Sequence, residues 1–395
     1  MPSPYDVSMS ESLIIVGASA RAAAFSAATA QLNPACADFF GDTDLVHVAP
    51  TKTVERYPKG LADAASELPA GPWMYTGALE NYPQLVDRIA AERVLYGNPG
   101  SVLRRVRDPF LLRDELRSSE LRLPELARAS DQLPLDGSWL YKPLASSSGD
   151  RIFPWTKDVL EELEKRADPK KERHYFQQRI EGMPCSALFF AAAGKACLLG
   201  VTRQITGEAW TGATGFKYAG SVGPLSLPQE PLTRLQLAAA RIASTFGLIG
   251  LFGLDLIWAN NDLWLIEINP RYPASAEVLE RSLGISAVGT HARACEKNGS
   301  AGAMASIVYN SQGTEMCAGK AIAYADKDFK ITESFSHWAS EQNAENERYV
   351  VADIPAVGTF VPAGFPIATV LADGTNAKDV EEKLKKRLSE LRRSL

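Results

Sequence analysis

The stretch GLDLIWANNDLWLIEINPR, residues 253–271, sets two carboxylates (Asp255, Glu267), an amide (Asn269) and a guanidinium (Arg271) inside apolar runs suited to a buried sheet. Burying such groups is costly unless they are paired or bind a ligand. Read as antiparallel strands LDLIWA (254–259) and LWLIEINP (263–270) joined by a three-residue turn, Asn260-Asn261-Asp262, the pairing puts Asp255 directly opposite Glu267. Opposed Cβ atoms lie about 5 Å apart, and like charges there destabilise a sheet. This register therefore requires a cation between the two carboxylates, whereas a two-residue turn would place them on opposite faces. Strand alternation adds Asn269 and Arg271 to the Glu267 face. Oxygen-only ligands suit Mg²⁺, which takes one or two carboxylates and completes its shell with substrate phosphates. An ordinary salt bridge from Arg271 or a lysine satisfies the same spacing.

Three further stretches carry usable groups. Lys142 ends the apolar strand WLYK, immediately before Pro143 and the loop ASSSGD. There a lysine can meet a phosphate as a point charge while the N–H groups of Ser146, Ser147, Ser148 and Gly149 wrap its oxygens, although plain turns share this composition. HYFQQRIEGMPCS places polar residues and Gly182 between two strand-like runs. Backbone atoms from Gln177 through Gln178 to Ile180 can face an adenine ring between apolar walls, and a hydrated turn is the simpler alternative. Arg203, in the apolar run LLGVTRQI, needs a carboxylate or phosphate partner. The four histidines, His47, His174, His291 and His337, show no metal or triad spacing, and His291 reads as a packed or capping residue.

These groups must be held by a chain of 395 residues, more than one ordinary core accommodates. The N-terminal region alternates: LIIVG (13–17), DLVHVAP (44–50) and PWMYTG (72–77) read as strands, with an alanine-rich helix after the first and a helix at 82–92. That order predicts a parallel sheet with crossover helices. The turn after LIIVG lacks the spaced glycines of a dinucleotide motif. A basic helical stretch follows from 101, then the strands at 138–142, 174–205 and 253–270, with a helix over TRLQLAAARIASTFGL ending near Gly247. Beyond about residue 300, short strands (GKAIAYAD, RYVVADIP, GTFVPAGFPIATVLADG) precede an amphipathic helix with Val380, Leu384, Leu388 and Leu391 along one side, packed on its own small β domain. A net charge of −5 argues against nucleic acid as the main ligand. Five scattered cysteines form no C-x-x-C pair and fit free thiols in a reducing cytoplasm. No run approaches the roughly 20 apolar residues of a membrane span, and Glu11 and Arg21 break the pattern of a signal peptide.

In order and spacing, VRDPFLL…LRLPEL, YKPLASSSG, YFQQRIEG and LDLIW…LWLIEINPR resemble the ATP-grasp superfamily. The resemblance implies an α/β and α+β multidomain chain: a Rossmann-like N-terminal (pre-ATP-grasp) domain over 1–103, a two-lobed ATP-grasp nucleotide domain over 104–300, and a small β-rich C-terminal domain with a terminal helix over 301–395. It implies ATP and Mg²⁺ (with Mn²⁺ as an alternative ion). Asp255, Glu267 and Asn269 would hold the metal, and Lys142 the phosphates. The loop with Ser147, Ser148 and Gly149 would wrap them, and backbone atoms from Gln177 and Gln178 to Ile180 would meet adenine. Arg203 and Arg271 would stabilise the transferred phosphoryl group, and Arg107, in competition with Arg105, would contact phosphate. The side chain at the hinge, usually acidic in the superfamily, is Gln177. The implied activity is ligation of a small-molecule carboxylate to an amine through an acyl-phosphate, in a cytoplasmic enzyme expected by analogy to be a homodimer. A bicarbonate-using carboxylase and a non-catalytic ATP-binding sensor are the alternatives. VGASARAAAFSA, FFGDTDL and WMYTGALENYP further resemble a bacterial branch linked to one-carbon cofactor biosynthesis. By the rule that ligands bind beyond the carboxyl ends of parallel strands, Ser19, Arg21, Glu80 and Asn81 are candidate substrate-side residues.

Overall fold

The computed structural model describes residues 12–130, 132–165, 173–296 and 316–395. The expected boundary at 300/301, like the segment around Glu11, lies outside the described residues. Strands β1 (Ser12–Gly17), β2 (Asn33–Asp38), β3 (Thr51–Thr53) and β4 (Trp73–Tyr75) form a parallel sheet in the order β3-β2-β1-β4. The expected strand at 44–50 is instead a helix, Thr43–Val48, with Leu45 buried and Val46 and Val48 exposed. Its start is fixed from far along the chain: Thr43 N–H donates to the Ile354 carbonyl, and the Asp44 carboxylate accepts the N–H groups of Asp353 and Ile354. The second strand is NPACAD, whose proline and alanines hide it from a propensity reading.

Strands β5 (Leu126–Ala127), β6 (Asp136–Pro143), β7 (Phe153–Thr156) and β8 (His174–Gln178) form a small antiparallel sheet around Tyr141, Trp155 and Phe176. A larger antiparallel sheet contains β9 (Met183–Ala192), β10 (Lys195–Thr206), β11 (Tyr218–Gly223), β12 (Gly250–Ala259), β13 (Asp262–Asn269) and β14 (Cys317–Tyr324). Past the two-residue strands β15 (Phe329–Lys330), β16 (Val351–Ala352) and β17 (Phe360–Val361), β18 (Pro366–Gly374) pairs with β14, and β16 caps the edge. The β-rich C-terminal unit is present, but it extends the nucleotide-domain sheet rather than forming a separate one.

The C-terminal helix Ala377–Ser394 buries Val380, Leu384, Leu388 and Leu391 against this sheet, each worth about 2 kcal/mol. The helix Gln229–Phe246 covers the sheet elsewhere and ends at Gly247, in the left-handed conformation a glycine cap supplies at no steric cost. The expected 103/104 boundary falls within the helix Gly100–Val106, whose Leu103 packs in the N-terminal core and Val106 in the nucleotide-lobe core. Ala23, Ala24 and Ala27 of the first helix join one core with Leu188, Leu251 and Leu279, so the N-terminal unit packs directly on the nucleotide lobe. Among the described residues no helix is long and apolar enough to cross a membrane, and all five cysteines are free.

Candidate active site at the hairpin

The hairpin turn has two residues, not three. Ala259 pairs with Asp262 and Trp258 with Leu263, leaving Asn260 and Asn261 at φ 51° and 63°, the left-handed pair of a type I′ turn. Continued unbroken, that register would oppose Asp255 to Ile266. The ladder instead shifts after Leu256–Leu265, leaving Ile266 unopposed and pairing Asp255 with Glu267. This bulge restores the facing carboxylates that the sequence reading reached through a different turn. The Ile266 carbonyl accepts from Gln177 Nε2 at 3.4 Å.

Around the pair, Asp255 accepts from Gln204 Nε2 at 2.9 Å and Asn269 Nδ2 at 2.8 Å. Arg107 Nη1 lies 3.3 Å from Glu267 Oε1. Burial, and next the Glu267 charge, push the Asp255 carboxyl up to about 6. Burial acts the same way on Glu267, but the charges of Arg107, Lys142 and Arg271 outweigh it and hold that carboxyl below its ordinary value.

Lys142 is buried (4% exposed) at the end of β6, where its Nζ donates to Gln177 Oε1 at 3.0 Å. The hinge side chain thus orients the lysine. Arg107 also reaches the Ser146 carbonyl and Asn81 Oδ1, both at 3.4 Å, and its buried Nε has no partner. The competing Arg105 turns away, over the Phe246 ring and toward the Thr245 carbonyl. In the loop, Ser148 and Gly149 are both left-handed (φ 55° and 74°), and Tyr218 N–H ties the Ser148 carbonyl to β11. A Cβ on Gly149 would stand 1.8 Å from the Phe216 carbonyl oxygen, so only glycine fits. At the hinge, the N–H groups of Gln178 and Arg179 are engaged by the carbonyls of Glu125 and Ser138, while Gln178 and Ile180 line the cavity.

Arg271 is held by Glu80 at 2.8 Å and by Asn269 Oδ1 at 3.0 Å, and the second Glu80 oxygen is buried without a partner. Glu80 therefore positions Arg271 instead of meeting substrate. Arg203 is not brought to the site. It pairs with Glu208 at 3.2 Å and with Glu381 of the C-terminal helix, because strand parity gives the cavity face to its neighbour Gln204. Gln204 and Ser186, which also lies in the cavity wall, escape a sequence reading because nothing in one strand's sequence tells which face looks inward. His291 is the packed residue expected: Nδ1 accepts from Leu251 N–H at 2.8 Å, and Nε2 meets the Tyr96 carbonyl at 3.0 Å.

A second cavity, of about 670 Å³, shares Ser147, Ser148, Tyr218 and Arg271 with the first and extends between the N-terminal unit and β14–β18. Ser19 lines it. Arg21 does too, but is 1% exposed and committed to ion pairs with Glu277 and Asp353, so it braces the wall.

The donor set fits Mg²⁺. Two facing carboxylates supply hard oxygen ligands, and among the described residues no group of three His, Cys, Asp or Glu could cage a metal alone, leaving positions for phosphate and water oxygens.

Residues 106–275 match the family model of the ATP-grasp domain. Solved structures share the fold over nearly the whole chain. An L-amino acid ligase from Bacillus licheniformis is 15% identical with a TM-score of 0.69, covering 97% of this chain and 98% of its own. N5-carboxyaminoimidazole ribonucleotide synthetase from Thermus thermophilus is 15% identical with a TM-score of 0.67, covering 96% and 98%. Phosphoribosylglycinamide synthetase from Anaerococcus prevotii is 14% identical with a TM-score of 0.63, covering 96% and 98%. No curated protein matches the sequence. Residues 106–275 therefore carry an ATP-grasp domain match, within a chain whose fold is shared with these solved structures.

Proposed function

We propose that the protein is an ATP- and Mg²⁺-dependent ligase that phosphorylates a small-molecule carboxylate and joins the acyl group to an amine, releasing ADP and phosphate. The observation that carries this reading is the like-charged pair Asp255–Glu267 within reach of Arg107, Lys142 and Arg271, at the seam of two connected cavities. Asp255 and Glu267, with Asn269 beside them, would hold Mg²⁺, which would supply positive charge to neutralise phosphate there. Lys142, oriented by Gln177, and Arg107 bind phosphate oxygens from the small sheet and from the N-terminal side. The left-handed loop at Ser147, Ser148 and Gly149 covers them, and the cavity wall at Gln178 and Ile180 takes the adenine. Arg271, fixed by Glu80, stands where both cavities meet and stabilises charge on the transferred phosphoryl group. No protein nucleophile is required, because phosphoryl transfer relies on positioning and charge stabilisation.

Three functional units, 1–103, 104–300 and 301–395, belong to this reading, as do a cytoplasmic location, consistent with five free thiols, and a homodimer. The L-amino acid ligase that shares the fold supports the choice of an amine acceptor. The test is an ADP-release screen of the full chain with Mg-ATP over mixtures of small acids and amines, with a bicarbonate arm. ADP formed only with an acid and an amine together supports the ligase. ADP formed with bicarbonate alone assigns a carboxylase, and no ADP under any mixture sinks both.

A further inference from the structure

The larger cavity has a chemically distinct far wall. Asp42 lines it and is only 4% exposed, yet its carboxylate makes no hydrogen bond to any described residue, and although it precedes the helix Thr43–Val48 its side chain caps nothing. Its acidic neighbours are all engaged. Asp38 accepts from the N–H groups of Ala20 and Gly41, Asp44 from Asp353 and Ile354, and Asp353 from Arg21 and Thr369. The cations on this wall are engaged as well: Arg21 is held by Glu277 and Asp353, and Lys320 by Glu277 at 3.0 Å. Of these carboxylates Asp42 and Asp353 line the cavity, and Asp42 is the one whose oxygens no neighbouring group engages among the described residues. Burial, and then Asp353, Asp44 and Asp38, push the Asp42 carboxyl up to about 9 despite Arg21.

The cavity mouth is apolar. Phe40, Phe360 and Phe365 line it from the N-terminal and C-terminal units while remaining 46%, 55% and 55% exposed. A bare metal ion has no use for such a rim, and no acidic trio among the described residues could cage one. An organic cation uses both features, its charge on carboxylates and its body on aromatic faces.

We propose that Asp42 and Asp353 form a subsite for a distal ammonium group on an organic substrate whose apolar body lies along Phe40, Phe360 and Phe365 and whose reacting end faces Ser148 and Arg271. The assignment of a reacting end rests on the ligase reading; the ammonium subsite itself does not. It narrows the substrate class to molecules that carry a cationic amino group away from the bond being formed.

The test is calorimetric binding to the full chain with a non-hydrolysable Mg-ATP analogue present. The probes are hexylamine against 1-hexanol, p-ethylbenzylamine against p-ethylbenzyl alcohol, and lysine against norleucine. At least one cationic probe should bind at least tenfold tighter than its partner, and Asp42→Asn should bring that ratio to about one without changing affinity for the nucleotide. Asp42→Ser gives the same reading should the asparagine variant fail to fold. Equal binding within every pair, no binding of any cationic probe, or a preference that survives Asp42→Asn overturns the proposal. ADP release together with such a surviving preference removes the subsite and leaves the ligase standing. Asp42-dependent binding without ADP under any mixture removes the ligase and leaves the subsite.

Discussion

Replacing Asp255 by asparagine should stabilise the nucleotide-free protein and weaken the loaded one. Asp255 is partly buried, and its carboxyl is pushed from 3.8 to about 6, first by burial and then by Glu267. A carboxyl raised in the folded state costs nothing while it is protonated in both states; stability falls as pH rises from 3.8 to about 6, and the full cost persists above that. At full burial this displacement is worth about 3 kcal/mol, and screening by the solvent that reaches Asp255 reduces it to about 2 kcal/mol. Asparagine removes the charge but cannot accept from both Gln204 and Asn269, which returns about 1 kcal/mol. The net gain is about 1 kcal/mol, or roughly 2 °C in Tm for a chain of this size. With Mg-ATP at a hundred times its Kd, the wild type gains about 2.7 kcal/mol, most of which the variant forgoes. Thermal scans at about pH 7.5 should therefore rank the variant above the wild type without ligand and below it with Mg-ATP. The ligand-free difference should fall with pH and reverse by about pH 4, where only the lost hydrogen bond of about 1 kcal/mol remains against the variant. A variant less stable without ligand at every pH, or one stabilised by Mg-ATP as strongly as the wild type, refutes the facing-carboxylate argument.

Arg107→Ala should raise the Kd for Mg-ATP at least tenfold by calorimetry, since one charge-assisted contact is worth about 1.5–3 kcal/mol, whereas Arg105→Ala should stay within about twofold. Arg203→Ala should leave turnover and the KM for ATP within about threefold while lowering stability by about 1 kcal/mol through its two half-buried ion pairs, as read by denaturant titration. His291, 2% exposed, is depressed to about 4 by burial, against the Tyr96 carbonyl. Its stabilising contribution is therefore complete above about 6.5 and is lost as pH falls toward 4. His291→Gln, which keeps an acceptor for Leu251 N–H, should flatten denaturation midpoints over that range, and an unchanged pH profile would contradict it.

The hairpin shows which parts of the site the sequence displays. Its residue types are plain: carboxylates, an amide and a guanidinium in apolar strands admit few uses. Its register is not, because an Asn-Asn turn of two residues and the bulge at Ile266 are separate local events whose effects cancel at Asp255. Arg203 shows the same limit with the opposite outcome. A register shift between Leu198 and Gly200 and the parity of β10 turn Gln204, not the arginine, toward Asp255 and the cavity, and no residue in LLGVTRQI announces it. The alternating run at 44–50 failed as a strand because the contacts that make it a helix come from Asp353 and Ile354, more than 300 positions away. That long-range contact also brings Asp42 and Asp353 onto one cavity wall. Chemistry confined to a hairpin can be proposed from spacing alone. Chemistry at a seam between the two ends of the chain needs the fold, and the residues proposed to choose the substrate stand on such a seam while those proposed to handle phosphate stand on the hairpin and its neighbouring strands. Variants at the seam should change which molecule reacts, and variants on the hairpin whether ATP is used at all.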